Sequence, residues 1–456
     1  MRHSRNILLA VLTLASGCTL IPRYQRPEAP VRTTFTVDHS GTNAASAVLP
    51  TWEEFFTDPR HRQLIRIAIT NNRDLRSATL RVEQSRSQYR ISRSRLFPRQ
   101  EAGAAFESLR SGGDTRELWS ASLGSTAYEV DLFGRVRSLN RQALEKFLAT
   151  DEARKAALIS LIAEVAAADL DLRRATRQVS LANETLGLVG ESRSLNQAAF
   201  EAGASNELDL RSADAQVEST RVSLIAAQLQ ATEARNRLEL LLGRPLPDDL
   251  QEAGSDLVDT LVPRVPAGLP SDLLGRRPDI LEAEHTLKAA NANVGAARAA
   301  FLPTLRLTTS AGTSSDELSR LFGAGTGVWS FSPQLTVPIF TGGENRANLA
   351  AARVGVRIEV ANYEGAIQRA FREVADTLAS IDALEGQSAA LSALVLAQQR
   401  RFDLARARFG QGEDIYLNVL LAQQDLFTAR VRSIDNTFSL LAGRIALFKG
   451  LGGGWQ

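Results

Sequence analysis

Between Arg135 and Glu201 the chain contains no proline, and apolar residues recur there in alternating steps of three and four: Leu158, Leu161, Val165, Ala168, Leu172, Ala175, and on through Ala182 to Val189. This is a heptad seam. At 1.5 Å of rise per residue an uninterrupted helix over that range would extend about 100 Å, longer than any ordinary globular core. A second seam runs from Leu210 through Ala213, Val217 and Thr220 to Leu241, and a third is expected along Leu417, Leu420, Gln424, Phe427, Val431, Ile434, Phe438, Leu441, Ile445 and Phe448. Alanine is frequent in the first two, so those helices can approach closely.

The chain repeats itself. Asp74 to Pro98 aligns without a gap on Asp279 to Pro303, with Asp74, Ala78, Arg93 and Pro98 matching Asp279, Ala283, Arg298 and Pro303. Each half runs helix, proline-ended corner, strand, loop, strand, very long helix, turn, long helix and a glycine-rich stop. The turns correspond as FEAGASNELDL from Phe200 and FGQGEDIYLNV from Phe409. The expected division is a signal segment at 1–17, an extended segment at 18–50, a first repeat at 51–242, a linker rich in proline and glycine at 243–278, and a second repeat at 279–456.

Arg2 and Arg5 precede a short apolar run from Ile7 to Ala15, then small residues up to Cys18, which is the layout of a secretory signal peptide. No later stretch approaches the roughly 20 continuous apolar residues that a membrane helix needs, so any membrane insertion must use strands. Cys18 is the only cysteine, which excludes an intrachain disulfide. Removing residues 1–17 takes away two basic residues and no acidic ones, leaving 53 − 2 = 51 basic against 51 acidic residues. A neutral mature chain carries no nucleic-acid footprint.

The strands read with period two. Trp329, Phe331, Pro333, Leu335 and Val337 alternate with Ser330, Ser332, Gln334, Thr336 and Pro338, and Leu305, Leu307 and Thr309 begin the same pattern. The first half is fainter, with Ala102, Ala104 and Phe106, then Trp119, Ala121 and Leu123. Pro333 and Pro338 remove ladder donors, so the last strand should be short, bulged or marginal. Segments of about ten residues with alternating faces suit a membrane barrel or an ordinary two-sided sheet. Four strands cannot close a barrel, and an open edge in hydrocarbon leaves backbone groups unsatisfied. Membrane insertion would therefore require oligomerisation.

The run LASGC resembles a bacterial lipobox, which implies diacylglycerol on the Cys18 sulfur, and Thr19 after it suggests sorting to the outer membrane. The opening CTLIPRYQRPEAPV, the segment TWEEFFTDPRHRQLIRIAITNNRDL, the run VPAGLPSDLLGRRPDI and the terminal ALFKGLGGGW extend the likeness over the whole mature chain. It resembles the TolC and OprM class of outer membrane factors, specifically NodT-type efflux outer-membrane lipoproteins. The resemblance implies a mixed α and β fold with two internal repeats: a trimeric twelve-stranded transmembrane β-barrel, four strands per chain, continuous with a long periplasmic α-helical barrel. It also implies a homotrimer in outer-membrane lipid, a periplasmic membrane fusion adaptor and an inner-membrane proton-coupled efflux pump.

No Walker-type loop or HExxH is present, and His3, His39, His61 and His285 are scattered without ligand spacing. Gly323, Gly325 and Gly327 read as a surface loop. We expect no catalytic residue, no cofactor and no metal site. By resemblance, the adaptor-docking tips are Gly203, Ala204 and Ser205 in the first half and Gly412 and Glu413 in the second. Where relatives carry an Asp before the pair Ala-Gln, this chain has Leu421. Asp414, Leu417, Leu421 and Asp425 then form a pore-lining stripe with two apolar rings between acidic ones, although Leu421 could instead face a neighbouring helix. The family's gate contact would join Asp209 to Arg408 or Arg406, since the usual Tyr is here Phe409. An outlet for secreted polypeptides and a purely structural periplasmic coiled coil are the competing readings.

Overall fold

The computed structural model describes residues 19–32, 50–203, 205–250, 262–263 and 275–453. The elements are α1 (Trp52–Phe55), α2 (Pro59–Asn71), α3 (Arg73–Ser94), β1 (Glu101–Ser111), β2 (Asp114–Val130), α4 (Arg135–Glu201), α5 (Glu207–Leu242), α6 (Pro278–Ala299), β3 (Thr304–Ser315), β4 (Gly327–Thr336), α7 (Glu344–Gly410) and α8 (Tyr416–Gly450). Helix α4 lies wholly inside the proline-free run between Pro98 and Pro245. Its counterpart α7 has the same length, 67 residues. No described helix is long and apolar enough to cross a membrane.

Local chemistry starts and stops the shorter elements. Thr51 and Glu54 close a capping box on α1. Asp58 caps α2 by accepting from the Arg60 backbone, with Pro59 at the first helical position. Asn206 caps α5 in the same way through the Asp209 backbone, and Gly243 ends it in the left-handed conformation.

The chain divides into two compact units. One contains Leu80–Glu152, Leu281–Ala366 and the described residues up to Ala29, and it holds the sheet. The four strands pair antiparallel in the order β1-β2-β3-β4. Register sorts the two faces. Trp329 lies opposite Ala311, Ala311 opposite Leu123 and Leu123 opposite Ala102, an apolar row across all four strands. The next row is Ser330, Ser310, Gly124 and Glu101, with the two serine hydroxyls 2.7 Å apart. Among the described residues none covers the apolar face: Trp329 is 80% exposed and Leu123 57%. The register shift falls in β2 between Ser125 and Tyr128, where Ala127 has φ 52°, and β4 pairs regularly through Pro333. As expected of a strand that carries Pro333, β4 is the shortest of the four and lies at the sheet's margin, where the missing proline donor breaks no ladder bond on its open side.

The second unit contains Pro30–Thr79, Ala153–Ile280 and Ile367–Gln456. Its core gathers α1, α2, the middle of α4, the end of α5 and the end of α8: Phe55, Phe56, Leu64, Ile65, Leu238 and Phe448 are all buried. Phe55 stacks flat on Phe448 at 4.0 Å between ring centroids. Each such ring contributes about 1.5–3 kcal/mol by leaving water. The α4 and α5 seams are buried where the heptads place them, at Leu161, Val165, Ala168, Leu172 and Ala175, and at Ala213, Thr220, Ala227 and Ala234.

The third seam is correct only in its second half. Phe438, Leu441, Ile445 and Phe448 are buried, but nearer the turn the buried positions are Tyr416, Val419, Ala422, Gln423 and Leu426, while Leu417 and Leu421 are exposed. Two apolar stripes overlap on this helix. The bulkier Tyr416 takes the place in the pocket between Phe402, Ala213 and Leu426.

Candidate functional site

The two helical turns are built alike. Gly203 has φ 74° and Gly412 φ 75°, a left-handed conformation that side-chain-bearing residues adopt only with strain. The Gly203 backbone donates to Phe200 O, and Gly412 donates to Phe409 O. Glu413 reaches back to Arg408 O at 3.0 Å. Ser205 Oγ lies 3.5 Å from Asn196 Oδ1. Ala204 lies outside the described residues, as does Cys18.

Beyond the second turn, Leu417 and Leu421 stand 51% and 44% exposed on α8. Asp414 and Asp425 flank them one turn to either side. Asp414 Oδ1 accepts from Asn418 Nδ2 at 2.7 Å, and these contacts hold its carboxyl below the ordinary carboxylate value. Asp425 Oδ2 accepts from Arg401 Nη1 at 2.6 Å, with both side chains half exposed.

The chain does not bring Asp209 and Arg408 together. Asn206 Nδ2 donates to Asp209 Oδ2 at 2.9 Å, Arg408 Nε lies 3.8 Å from Asp414 Oδ2, and Arg406 Nη2 lies 3.9 Å from Glu191. Asp209 and Arg408 thus meet residues of their own turns, whereas Arg406 reaches across to α4 of the other hairpin.

Two polar clusters were not singled out from the sequence. In the sheet-bearing unit the segment after Thr19 runs along α6. Arg298 Nη1 donates to Leu20 O, Asn291 Nδ2 to Pro22 O, and Tyr24 and Arg26 both reach Glu284. Burial would raise the Glu284 carboxyl, but the Arg26 and Lys288 contacts outweigh it and hold it below its ordinary value.

In the other unit Asp169 of α4 is fully buried. It accepts from Arg60 Nε and Arg173 Nε, both at 2.8 Å, with His61 Nε2 at 3.1 Å. Arg60 also donates to Leu250 O, and Arg173 Nη2 reaches Asp58. Burial opposes the charge on Asp169, yet the imidazole and the two guanidiniums hold its carboxyl far below the usual range. A carboxylate inside the alanine-rich run AAADLDL was the available signal. No group of residues suited to a metal ion occurs among the described residues.

A sheet with one lipid-compatible face and two open edges, joined in sequence to heptad-seamed helical hairpins, suits a subunit of a larger tube. The profile of the outer membrane efflux protein family matches residues 64–244 and 269–453. Over the whole chain and 97% of its own length, the toluene efflux pump outer membrane protein TtgF of Pseudomonas putida is 43% identical. The cation efflux system protein CusC of Escherichia coli is 39% identical over 97% of this chain and 96% of its own. Among solved structures, the open-state MtrE outer membrane channel of Neisseria gonorrhoeae superposes with a TM-score of 0.89 at 39% identity, over 96% of this chain and 99% of that one. A Pseudomonas aeruginosa membrane protein gives 0.91 at 40% identity, over 95% and 100%. Such channels are trimers with a periplasmic helical barrel, and three copies of this four-stranded sheet make the twelve strands of one closed barrel. The chain belongs to the outer membrane efflux protein family, and is the outer-membrane channel of an efflux system, extending into the periplasm.

Proposed function

We propose that this channel passively conducts drugs or other small toxic compounds, with the work done by a proton-coupled inner-membrane pump reached through a periplasmic adaptor. The observation that carries the cargo class is the leucine pair on α8: an acidic ring at Leu421 would favour cations, whereas leucines at both positions make a neck indifferent to charge that yields by wetting. The names of the relatives span toluene, solvent and cation efflux, and the neck chemistry of this chain favours the organic end of that span. In this reading the Gly203 and Gly412 turns are the adaptor-facing tips and Cys18 carries the lipid anchor. No step requires bond making, so the chain acts as a conduit and not as an enzyme.

The test is a deletion strain challenged with a panel of neutral aromatics, amphiphilic drugs and metal cations. Sensitisation to the organic compounds, restored by the cloned gene, is expected. Sensitisation to cations alone, or a defect in exported polypeptide with no change in tolerance, would overturn it.

A further inference from the structure

Helices α3 and α6 are the same element of the two repeats, aligned without a gap, yet one face of each carries something different. On α6 that face holds the segment after Thr19. Arg298 donates to Leu20 O and Asn291 to Pro22 O, and between them Gly295 leaves room for Ile21, whose Cγ1 would lie 2.7 Å from a Cβ at that position. The equivalent residues of α3 are Arg93, Arg86 and Arg90. Their spacing of four and three sets them on one stripe of the helix, and all three are exposed. None of them forms an ion pair among the described residues.

Like charges three and four residues apart oppose one another on a helix, and α6 shows that the fold is built without them. An anion would relieve the repulsion. Glu83, the one carboxylate of α3 beyond Asp74, pairs with none of the three.

We propose that Arg86, Arg90 and Arg93 bind the phosphate of an anionic phospholipid in the inner leaflet of the outer membrane. Leu20 is two residues from Cys18, so a lipid on that cysteine sets the covered face of α6 on the outside of the tube and close to the bilayer. The proposal rests on that reading of Cys18. Both α3 and α6 end at a proline corner that opens a strand, and β1 and β3 start from the same edge of the sheet because each is antiparallel to β2. Arg93 therefore stands at the level of Arg298, with Arg90 and Arg86 about 5 and 10 Å farther from the membrane. Their long side chains can extend toward the headgroups. Phe97, 63% exposed, follows one turn after Arg93, where an aromatic belt would meet the same layer. Charge chooses the occupant: the masked counterpart of a strap is not needed where a guanidinium stripe faces a phosphate surface.

Purified trimers in phosphatidylcholine nanodiscs with a minor share of phosphatidylglycerol provide the test, read by native mass spectrometry of the lipids each trimer retains. Wild type should prefer phosphatidylglycerol. Arg86→Gln, Arg90→Gln and Arg93→Gln together should lower the preference about a hundredfold, at about fivefold for each arginine at a charged lipid surface, and lysine at the three positions should restore most of it. Arg81→Gln with Arg95→Gln, on the other flank of α3, should leave it unchanged. No preference in wild type, an equal loss in that control, or displacement of the lipid by inorganic phosphate at the same concentration would overturn the proposal. So would capture of residues 33–49, in place of lipid, by a photoreactive side chain at Ser87. Should the triple variant fail to assemble, Arg90→Gln alone decides, with about fivefold expected and no change fatal. Palmitate labelling at Cys18 is read separately: label without phosphatidylglycerol preference overturns this proposal alone, and no label overturns both readings.

Discussion

The Arg26 guanidinium spans both carboxylate oxygens of Glu284, with Nε 3.2 Å from Oε1 and Nη2 2.5 Å from Oε2, although the two residues are 258 apart in sequence. Tyr24 donates to the same carboxylate, and Lys288 Nζ lies over the Tyr24 ring. Glu284 is almost completely buried and Arg26 half exposed, so solvent screening reduces the pair to roughly 1–2 kcal/mol. Glu284→Gln should therefore loosen the amino-terminal segment without unfolding the chain. Trypsin cleavage after Arg23 should accelerate about tenfold, the kinetic equivalent of 1.4 kcal/mol; wild-type protection in the variant would show that the backbone contacts at Leu20 and Pro22 suffice.

Asp169→Asn should be the most destabilising single change in the second unit. Removing one member of a buried charge network costs roughly 3–5 kcal/mol because the partners stay buried, and Arg60 and Arg173 are each 9% exposed. The Asp169 carboxyl lies below its ordinary value in the folded chain. Its contribution is complete above the unfolded carboxylate pKa and is lost as pH falls through the lowered folded one. Below about pH 4 the wild type should therefore lose stability more steeply than the variant. Thermal melts of detergent-solubilised trimers across pH check this, and parallel profiles would contradict it.

Much of this architecture is legible before any coordinates. The uninterrupted course of α4, the two turns and the period-two strands follow from backbone rules that act locally: proline avoidance, glycine at positive φ, and alternation. What could not be read off were the choices made by neighbours. Leu417 and Tyr416 both lie on apolar stripes of α8, and only the pocket formed by Phe402 and Ala213 decides between them. Within the chain Asp209 meets Asn206, which caps the same helix, and neither Arg408 nor Arg406. His61 looked isolated because its ion-network partner Asp169 lies on another helix, more than a hundred residues away in sequence.

The neck offers an electrical test. Leu421→Asp should raise both resting conductance and cation preference in single-channel recordings, because an acidic ring attracts cations and keeps the constriction wet. Leu417→Ser should raise conductance with little change in selectivity. Unchanged conductance in both variants would move the narrowest point elsewhere.

At the tips, the left-handed glycines make substitution strained as well as bulky. Gly203→Arg and Gly412→Arg should each cost about 1–2 kcal/mol locally and abolish drug resistance while trimers still reach the outer membrane. Resistance that survives both changes would rule out docking at these turns.

Cys18→Ser should eliminate incorporation of labelled palmitate. The diacylglycerol would supply two acyl chains, and although the variant lacks them, its assembled trimers should remain in the membrane fraction through their strands. Label retained in the variant would disprove modification at that sulfur.

The sheet has an apolar face that one chain leaves uncovered and two edges, β1 and β4, that one chain leaves unpaired. A copy newly released into the periplasm thus travels with aromatic side chains and free backbone donors on display, the combination that invites edge-to-edge aggregation. Burial is completed only when three copies meet, so the yield of channel depends on how many are in transit together and on what shields them meanwhile. The supply of new chains becomes a determinant of efflux capacity in its own right, separate from anything that happens at the neck or the tips.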